Sequence, residues 1–541
     1  MLMTSTPTVT IATGQLAGRY ESGRQIAVFK GVPYAQPPIG ELRWRPPQPA
    51  LPWQGLRKAD TFKPVAFQLE AGYGSFIHAL IAGQGFSKLK TSLLEIYLRT
   101  LARPKASEDC LYLNIRTPLL DSQARLPVMI WIHGGDHQDG AGSDIPYQTN
   151  ALPLQGVVLV TINYRLGLLG YFAHPELSQE SGRDVSGNYG TLDQIAALRW
   201  VSENISAFGG DPHNLTIFGE SAGGESVAHL MTSPLSRGLF QRAIIQSAAN
   251  GGQMLLLKQP FLNRPAAEQA GKDFADKLVG FGKDQVARLR QIPAGKLYQF
   301  LRKQAQSSFY PAIDGYVLEK SPFQAFLDGE QARLPLIIGS NADEGTLLYP
   351  EIGSPLIEYA GQPLTPDELC CVLQDEFQED AGLLFDLYPG LYTGDYAARL
   401  ALLGDSLIGS PARFYALQAA NAGQPVYFYF FTRTPPSPRQ TAGAYHFAET
   451  PYIFESANPV FPMDADGHAF ARLMTAYWAQ FAREGNPNLA PHPDWPALSP
   501  DNPRLMQFGE QASLAPIERA AKYDLIDRRR SRQLELLKKF C

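Results

Sequence analysis

Cysteine is scarce: four residues in 541, at Cys110, Cys370, Cys371 and Cys541. Two of them are adjacent and rarely pair with each other, so no disulfide framework is expected, and the count suits a reducing compartment. There is no apolar run near the ~18 residues that a membrane helix needs, so no stable membrane insertion is expected. Nor is there an excess of positive charge. Lys and Arg number 47 against 52 Asp and Glu, a net charge of −5. Without a concentrated basic face to neutralise phosphates, nucleic acid is excluded as an expected partner. Residues 1–10 lack a basic segment followed by an apolar core, so no secretory leader is expected and a cytoplasmic location is. Internal repeats and low-complexity linkers are also missing.

What remains is ordinary globular composition, 45% hydrophobic and 11% aromatic. The length is two to four times a common domain of roughly 100–200 residues, yet α/β enzymes often run this long as one unit. Short apolar runs at 128–132, 157–162, 215–218, 243–245, 336–338 and 426–431 lack polar alternation, the mark of strands buried on both faces. Helical patterns at 191–204, 223–231 and 469–484 fall between or after them. Strands alternating with helices predict one large, mostly parallel α/β sheet in a single domain spanning 1–541. Two segments stand apart. Residues 67–106 hold an amphipathic stretch at 93–101 and read as a lid-like insertion or a plain surface helix. Residues 528–539 are basic with interleaved leucines and read as a solvated terminal helix rather than a membrane-binding one.

The strongest local signal is Gly219-Glu220-Ser221-Ala222-Gly223-Gly224, placed between an apolar strand and a helical pattern. A sharp strand-to-helix turn holds its serine in a strained backbone and exposes the hydroxyl at the sheet's carboxyl edge. Small residues at Gly219 and Gly223 let neighbouring chains approach. The helix N-terminus beside it favours developing negative charge. A glycine-rich turn with a helix-capping serine is the competing explanation of the bare pattern.

A serine hydroxyl needs a base to become nucleophilic. If an acid and then a histidine follow the serine in chain order, only His446, His468 and His492 remain. His446 lies in a loop after the aromatic strand, whereas His468 is near a helix start and His492 sits between two prolines, so His446 is the preferred base. The acid belongs just past the strand at 334–340, where Asp343 and Glu344 are both candidates. Oxyanion donors are expected from the backbone of Ala222 and from the loop Trp131-Ile132-His133-Gly134-Gly135-Asp136.

Longer strings add a resemblance. Phe29-Lys30-Gly31-Val32-Pro33-Tyr34-Ala35, Ser107-Glu108-Asp109-Cys110-Leu111-Tyr112-Leu113-Asn114, Asn163-Tyr164-Arg165-Leu166-Gly167 and Phe208-Gly209-Gly210-Asp211-Pro212 resemble the type-B carboxylesterases, the family of bacterial p-nitrobenzyl esterases and the cholinesterases. The resemblance implies an α/β-hydrolase fold, Ser221 as nucleophile, Glu344 as acid and His446 as base. It further implies oxyanion donors at Gly135, Asp136 and Ala222, and an electrostatic role for Glu220. The family usually has a third glycine and an aromatic residue where this chain has Asp136-His137, which places a carboxylate and His137 near the expected acyl pocket. The family's disulfide partner for Cys110 is replaced near Ala66, implying a free thiol. No Trp lies between Trp53 and Trp131, which speaks against choline esters.

The expected activity is therefore hydrolysis of small-molecule carboxylic esters through an acyl-enzyme, with no metal or organic cofactor. Amide or carbamate hydrolysis on the same fold is the alternative within the class. A non-catalytic binding role is the alternative outside it, disfavoured because all three triad candidates are present. A membrane-docked lipase is a third reading, resting on the lid-like segment and the basic tail alone.

Overall fold

In the run Val-Met-Ile-Trp-Ile at 128–132, Val128, Ile130 and Ile132 pack into one apolar cluster while Met129 and Trp131 pack into another. A strand buried on both sides has to lie inside a sheet covered on both faces. In the computed structural model this strand lies inside an 11-stranded sheet. The structure describes residues 6–540 apart from 22, 24, 69–79, 82–85, 97–103, 249–254, 305–308, 353–357, 360–361, 437–439, 500 and 502.

In chain order the strands are β1 (Arg19–Glu21), β2 (Ile26–Pro33), β3 (Tyr112–Thr117), β4 (Leu126–Ile132), β5 (Val158–Ile162), β6 (Gly210–Glu220), β7 (Arg242–Gln246), β8 (Leu336–Asn341), β9 (Val426–Phe431), β10 (Arg504–Phe508) and β11 (Ala512–Pro516). Their order across the sheet is β11-β10-β9-β8-β7-β6-β4-β5-β3-β2-β1. The strands from β5 to β10 pair in parallel. The N-terminal strands and the hairpin β10–β11 pair antiparallel at the two edges. The mostly parallel sheet matches the expectation. The antiparallel strands β1–β3 were not among the apolar runs read from the sequence, because Arg19, Lys30, Asn114 and Arg116 interrupt them.

The principal helices are α1 (Tyr189–Asn204), α2 (Ala222–Thr232), α3 (Gly345–Ile352), α4 (Ser410–Asn421), α5 (Ala465–Glu484) and α6 (Ala520–Leu537). Helices α1, α2 and α4 contribute Leu198, Val227 and Tyr415 to the cluster on one sheet face. Helix α5 contributes Met474, Trp478 and Phe481 to the cluster on the other. At ~25 cal/mol per Å² of apolar surface, these two clusters supply the main drive for the fold.

From β4 the chain crosses to β5 on one side, then returns to place β6 on the other side of β4. Such a reversal opens a crevice beyond the carboxyl ends of the strands, the usual place for a ligand in an open α/β sheet. The register brings these ends together: Ile132 lies beside Gly219, Glu220 beside Gln246, and Gln246 beside Gly339.

One sequence expectation is refined. The basic C-terminal segment forms the expected terminal helix with a solvated face, but α6 also packs on the protein, burying Tyr523, Leu525, Ile526, Arg530, Leu534 and Leu537. Its arginines are engaged within the chain, Arg528 and Arg532 with Asp380, Arg529 with Glu376, and Arg530 with Asp527. Three of these four, Arg528, Arg529 and Arg532, are partners of acidic residues about 150 positions earlier, which a local window cannot see. In the lid-like insertion, a helix at Lys88–Ile96 takes in 93–96 of the amphipathic stretch, and 69–79, 82–85 and 97–103 lie outside the described residues. Cys110 is buried and bonded to no other cysteine among the described residues. No helix among the described residues is long and apolar enough to cross a membrane.

Candidate active site

Strand β6 ends at Glu220 and helix α2 starts at Ala222, so Ser221 alone makes the turn. It does so at φ 57° and ψ −127°, a conformation that costs a non-glycine residue roughly 1–3 kcal/mol and persists only when its surroundings impose it. The surroundings are backbone. Ser221 N–H donates to the Gln246 carbonyl at 3.0 Å, and Glu225 N–H donates to the Ser221 carbonyl at 2.9 Å. The flanking glycines are required by space. A Cβ on Gly223 would lie 2.1 Å from the Ile132 carbonyl oxygen, and one on Gly219 would lie 2.5 Å from the Gly223 carbonyl carbon. Ser221 is half-buried.

Beyond β8, Asn341 to Glu344 turn into helix α3. Glu344 is buried, and its carboxylate accepts from Asn341 N–H at 2.7 Å and faces His446 Nδ1 at 2.6 Å. Asp343, the other acidic candidate, does different work. Its N–H donates to the Ala444 carbonyl and its carboxylate accepts from Ala444 N–H at 2.8 Å, pinning the histidine loop to the acid turn. Thr346 adds a hydrogen bond to the Ala442 carbonyl. Of the later histidines, His446 alone joins this cluster; His468 lies within α5, and His492 packs near Tyr477.

Glu220 is buried beside the nucleophile, with Oε1 3.2 Å from His446 Nε2. The imidazole thus lies between two carboxylates. Burial works against its charged form, but Glu220 and Glu344 outweigh burial and push it up to about 10. Behind it sits Glu449, fully buried, accepting from Asn341 Nδ2 at 2.7 Å and Gln246 Nε2 at 3.0 Å. Burial raises its pKa, as does the charge of Glu344. Trp478 Nε1 donates to Gln246 Oε1 and continues this network. Gln246, Asn341 and Trp478 were not singled out from sequence. They sit on a strand end, a turn and a helix, and no local pattern marks them.

The loop after β4 lies against the nucleophile. A Cβ on Gly134 would come within 3.1 Å of Ser221 Cβ. Gly135, Asp136 and His137 follow with φ of 101°, 52° and 55°. Asp and His tolerate this left-handed region better than most residues. The backbone N–H groups of Gly135, Asp136 and Ala222 have no acceptor among the described residues. The Asp136 carboxylate, expected to crowd the acyl pocket, accepts from the Tyr310 hydroxyl at 2.7 Å. Burial pushes it up to about 6, against the hydrogen bond from Tyr310. His137 is buried, with Nε2 3.0 Å from Glu225 in the first turn of α2. Tyr310 and Glu225 also escaped the sequence reading.

Comparison with known proteins gives the same family over nearly the whole chain. The model of the carboxylesterase family matches residues 5–526. The chain is 34% identical to the fumonisin B1 esterase of Sphingopyxis macrogoltabida, covering 90% of this chain and 84% of that one. It is also 34% identical to the para-nitrobenzyl esterase of Bacillus subtilis, covering 90% and 92%. Among solved structures, a PNB esterase superposes with a TM-score of 0.76 at 29% identity, covering 96% of this chain and 100% of that one. A carboxylesterase of Geobacillus stearothermophilus gives 0.75 at 31% identity, covering 96% and 99%. On these matches and the α/β-hydrolase fold, the chain belongs to the carboxylesterase family and is a carboxylesterase-type hydrolase.

Proposed function

We propose that the protein is a serine carboxylic-ester hydrolase working through an acyl-enzyme. The observation that carries this reading is the 2.6 Å contact between His446 Nδ1 and Glu344, set beside the strained turn of Ser221. Ser221 Oγ attacks the ester carbonyl carbon while His446 Nε2 takes its proton. The carbonyl electron pair moves onto oxygen, facing the N–H groups of Gly135, Asp136 and Ala222. When the tetrahedral intermediate collapses, His446 returns the proton to the departing alcohol. Water then attacks the acyl carbon with His446 again as base, releasing the acid and restoring Ser221. Glu344 holds the imidazole with Nδ1 protonated and stabilises the imidazolium. Glu220 raises the base's proton affinity and transfers no proton.

The substrate is a small-molecule carboxylic ester, as the names of the relatives suggest: fumonisin B1 esterase, para-nitrobenzyl esterase and liver carboxylesterase. The reading includes one catalytic domain over 1–541, a cytoplasmic location and no nucleic-acid partner. The test is hydrolysis of p-nitrophenyl esters from acetate to decanoate by the natural protein and Ser221→Ala, with a matched anilide beside one ester. Ester turnover lost in the variant is the expected result. No ester turnover by folded natural protein, or turnover retained by Ser221→Ala, contradicts it. Anilide turnover matching the ester places the protein among amide hydrolases.

A further inference from the structure

The donors proposed for the oxyanion hole come from two different elements. Gly135 and Asp136 lie on the loop after β4, and Ala222 begins α2. Stabilisation of an oxyanion depends on donors 2.7–3.1 Å from the oxygen, so the two elements must keep a fixed separation. Three consecutive residues of the loop hold positive φ, two of them with side chains, a conformation that needs support from outside.

The support on α2 is Glu225, four residues after the nucleophile. Its carboxylate meets His137 Nε2 at 3.0 Å, and its backbone N–H bonds the Ser221 carbonyl at 2.9 Å. One residue thus touches both the nucleophile's turn and the donor loop. The remaining contacts of His137 fix its ring and backbone. Tyr171 Oη lies 3.4 Å from Nδ1, the His137 carbonyl accepts from Gly167 N–H at 2.7 Å, and the His229 ring stacks at 6.0 Å. A carboxylate only accepts, so the Nε2 proton donates to Glu225. The first turn of a helix is a favourable place for this negative charge.

We infer that His137 and Glu225 are a positioning pair that holds the two halves of the oxyanion hole in register for the reaction. This rests on the esterase reading above. Neither residue touches the reacting atoms; both act through the backbone N–H groups of Gly135, Asp136 and Ala222. The pair therefore contributes to the transition state and not to ground-state binding of the ester.

The test uses the full chain with Glu225→Ala, Glu225→Gln and His137→Gln, each normalised by titration of reactive sites. Two readouts are compared: kcat and KM for p-nitrophenyl butyrate, and affinity for a trifluoromethyl ketone, whose reversible adduct places an oxyanion in the hole. Glu225→Ala is expected to lower kcat about 10- to 100-fold, a fraction of the 10²–10³ typical for a lost donor, with KM within about twofold. Ketone affinity falls in parallel. Glu225→Gln and His137→Gln, which retain a hydrogen bond, keep kcat within about fivefold of the natural protein. If Glu225→Ala fails to fold, those two variants decide, because their smaller losses must still appear in kcat and ketone affinity together. A kcat per reactive site unchanged in all variants, a loss confined to KM, or a loss of kcat without loss of ketone affinity overturns the inference. The esterase reading stands or falls separately, on Ser221→Ala: a natural protein that hydrolyses and a Ser221→Ala that does not leave that reading intact whatever Glu225 does.

Discussion

Replacing Glu220 with Gln removes one of the two charges flanking His446 while keeping shape and hydrogen-bonding capacity. On the proposed mechanism His446 must be unprotonated at Nε2 to take the Ser221 proton, so kcat/KM should rise with pH as the imidazolium loses its proton. Burial pulls the imidazole down from its ordinary 6.5, and the carboxylates of Glu220 and Glu344 push it up to about 10. At the observed 3.2 Å, a unit charge pair in an effective dielectric of about 20 interacts with roughly 5 kcal/mol. At 1.36 kcal/mol per pH unit that would cover up to about four units. Burial opposes it and Glu344 shares it, so Glu220→Gln should move the acid limb of kcat/KM downward by roughly one to two units. The assay is kcat/KM for p-nitrophenyl butyrate from about pH 5 to about pH 10, where a free-enzyme profile reports the essential base. Stability supplies a second sign. A raised folded pKa stabilises below the unfolded value near 6.5 and loses that contribution as pH rises through about 10. The variant should therefore be less stable to urea than the natural protein at pH 6, with the difference gone above about pH 10. An acid limb that stays in place, or moves upward, refutes the reasoning.

Glu344→Gln removes the charge at 2.6 Å that orients His446, and kcat should fall on the order of 10³–10⁴ with little loss of stability, read by steady-state kinetics and thermal melting. Asp343→Ala removes the acceptor of Ala444 N–H and should cost about 1–3 kcal/mol in urea unfolding, while lowering kcat far less than Glu344→Gln. Gly223→Ala forces a methyl to within 2.1 Å of the Ile132 carbonyl oxygen; expected is a loss of about 1–3 kcal/mol together with most activity, checked by unfolding and reactive-site titration. Trp131→Ala, on β4 and fully buried, should cost about 3–5 kcal/mol in the same unfolding experiment.

The parts of this fold written locally were legible. The apolar runs at 128–132 and 426–431 declared strands because burial on both faces leaves no polar positions, and the glycines around Ser221 declared a turn because no side chain fits there. Glu344 and His446 come within 2.6 Å of each other, although from sequence Asp343 and Glu344 separated only through resemblance to the family. The structure gives that separation a cause, since Asp343 is already engaged with Ala444 N–H. Long-range partners were illegible. Nothing near Arg528 points to Asp380, nothing near His137 points to Glu225, and nothing near Asp136 points to Tyr310. The edge strands β1–β3 were missed because Arg19, Lys30, Asn114 and Arg116 break the continuous apolar runs that marked the central strands.

The central claim is a covalent acyl group on Ser221. Mixing the natural protein with p-nitrophenyl acetate, quenching in acid within the first turnovers and weighing the intact chain and its peptides tests it most directly. One acetyl group on the peptide holding Ser221, absent from Ser221→Ala and accompanied by a burst of nitrophenol, is the predicted result. Full ester turnover with no acylated peptide under that quench, or an acetyl group on another residue that is kinetically competent, would contradict the account.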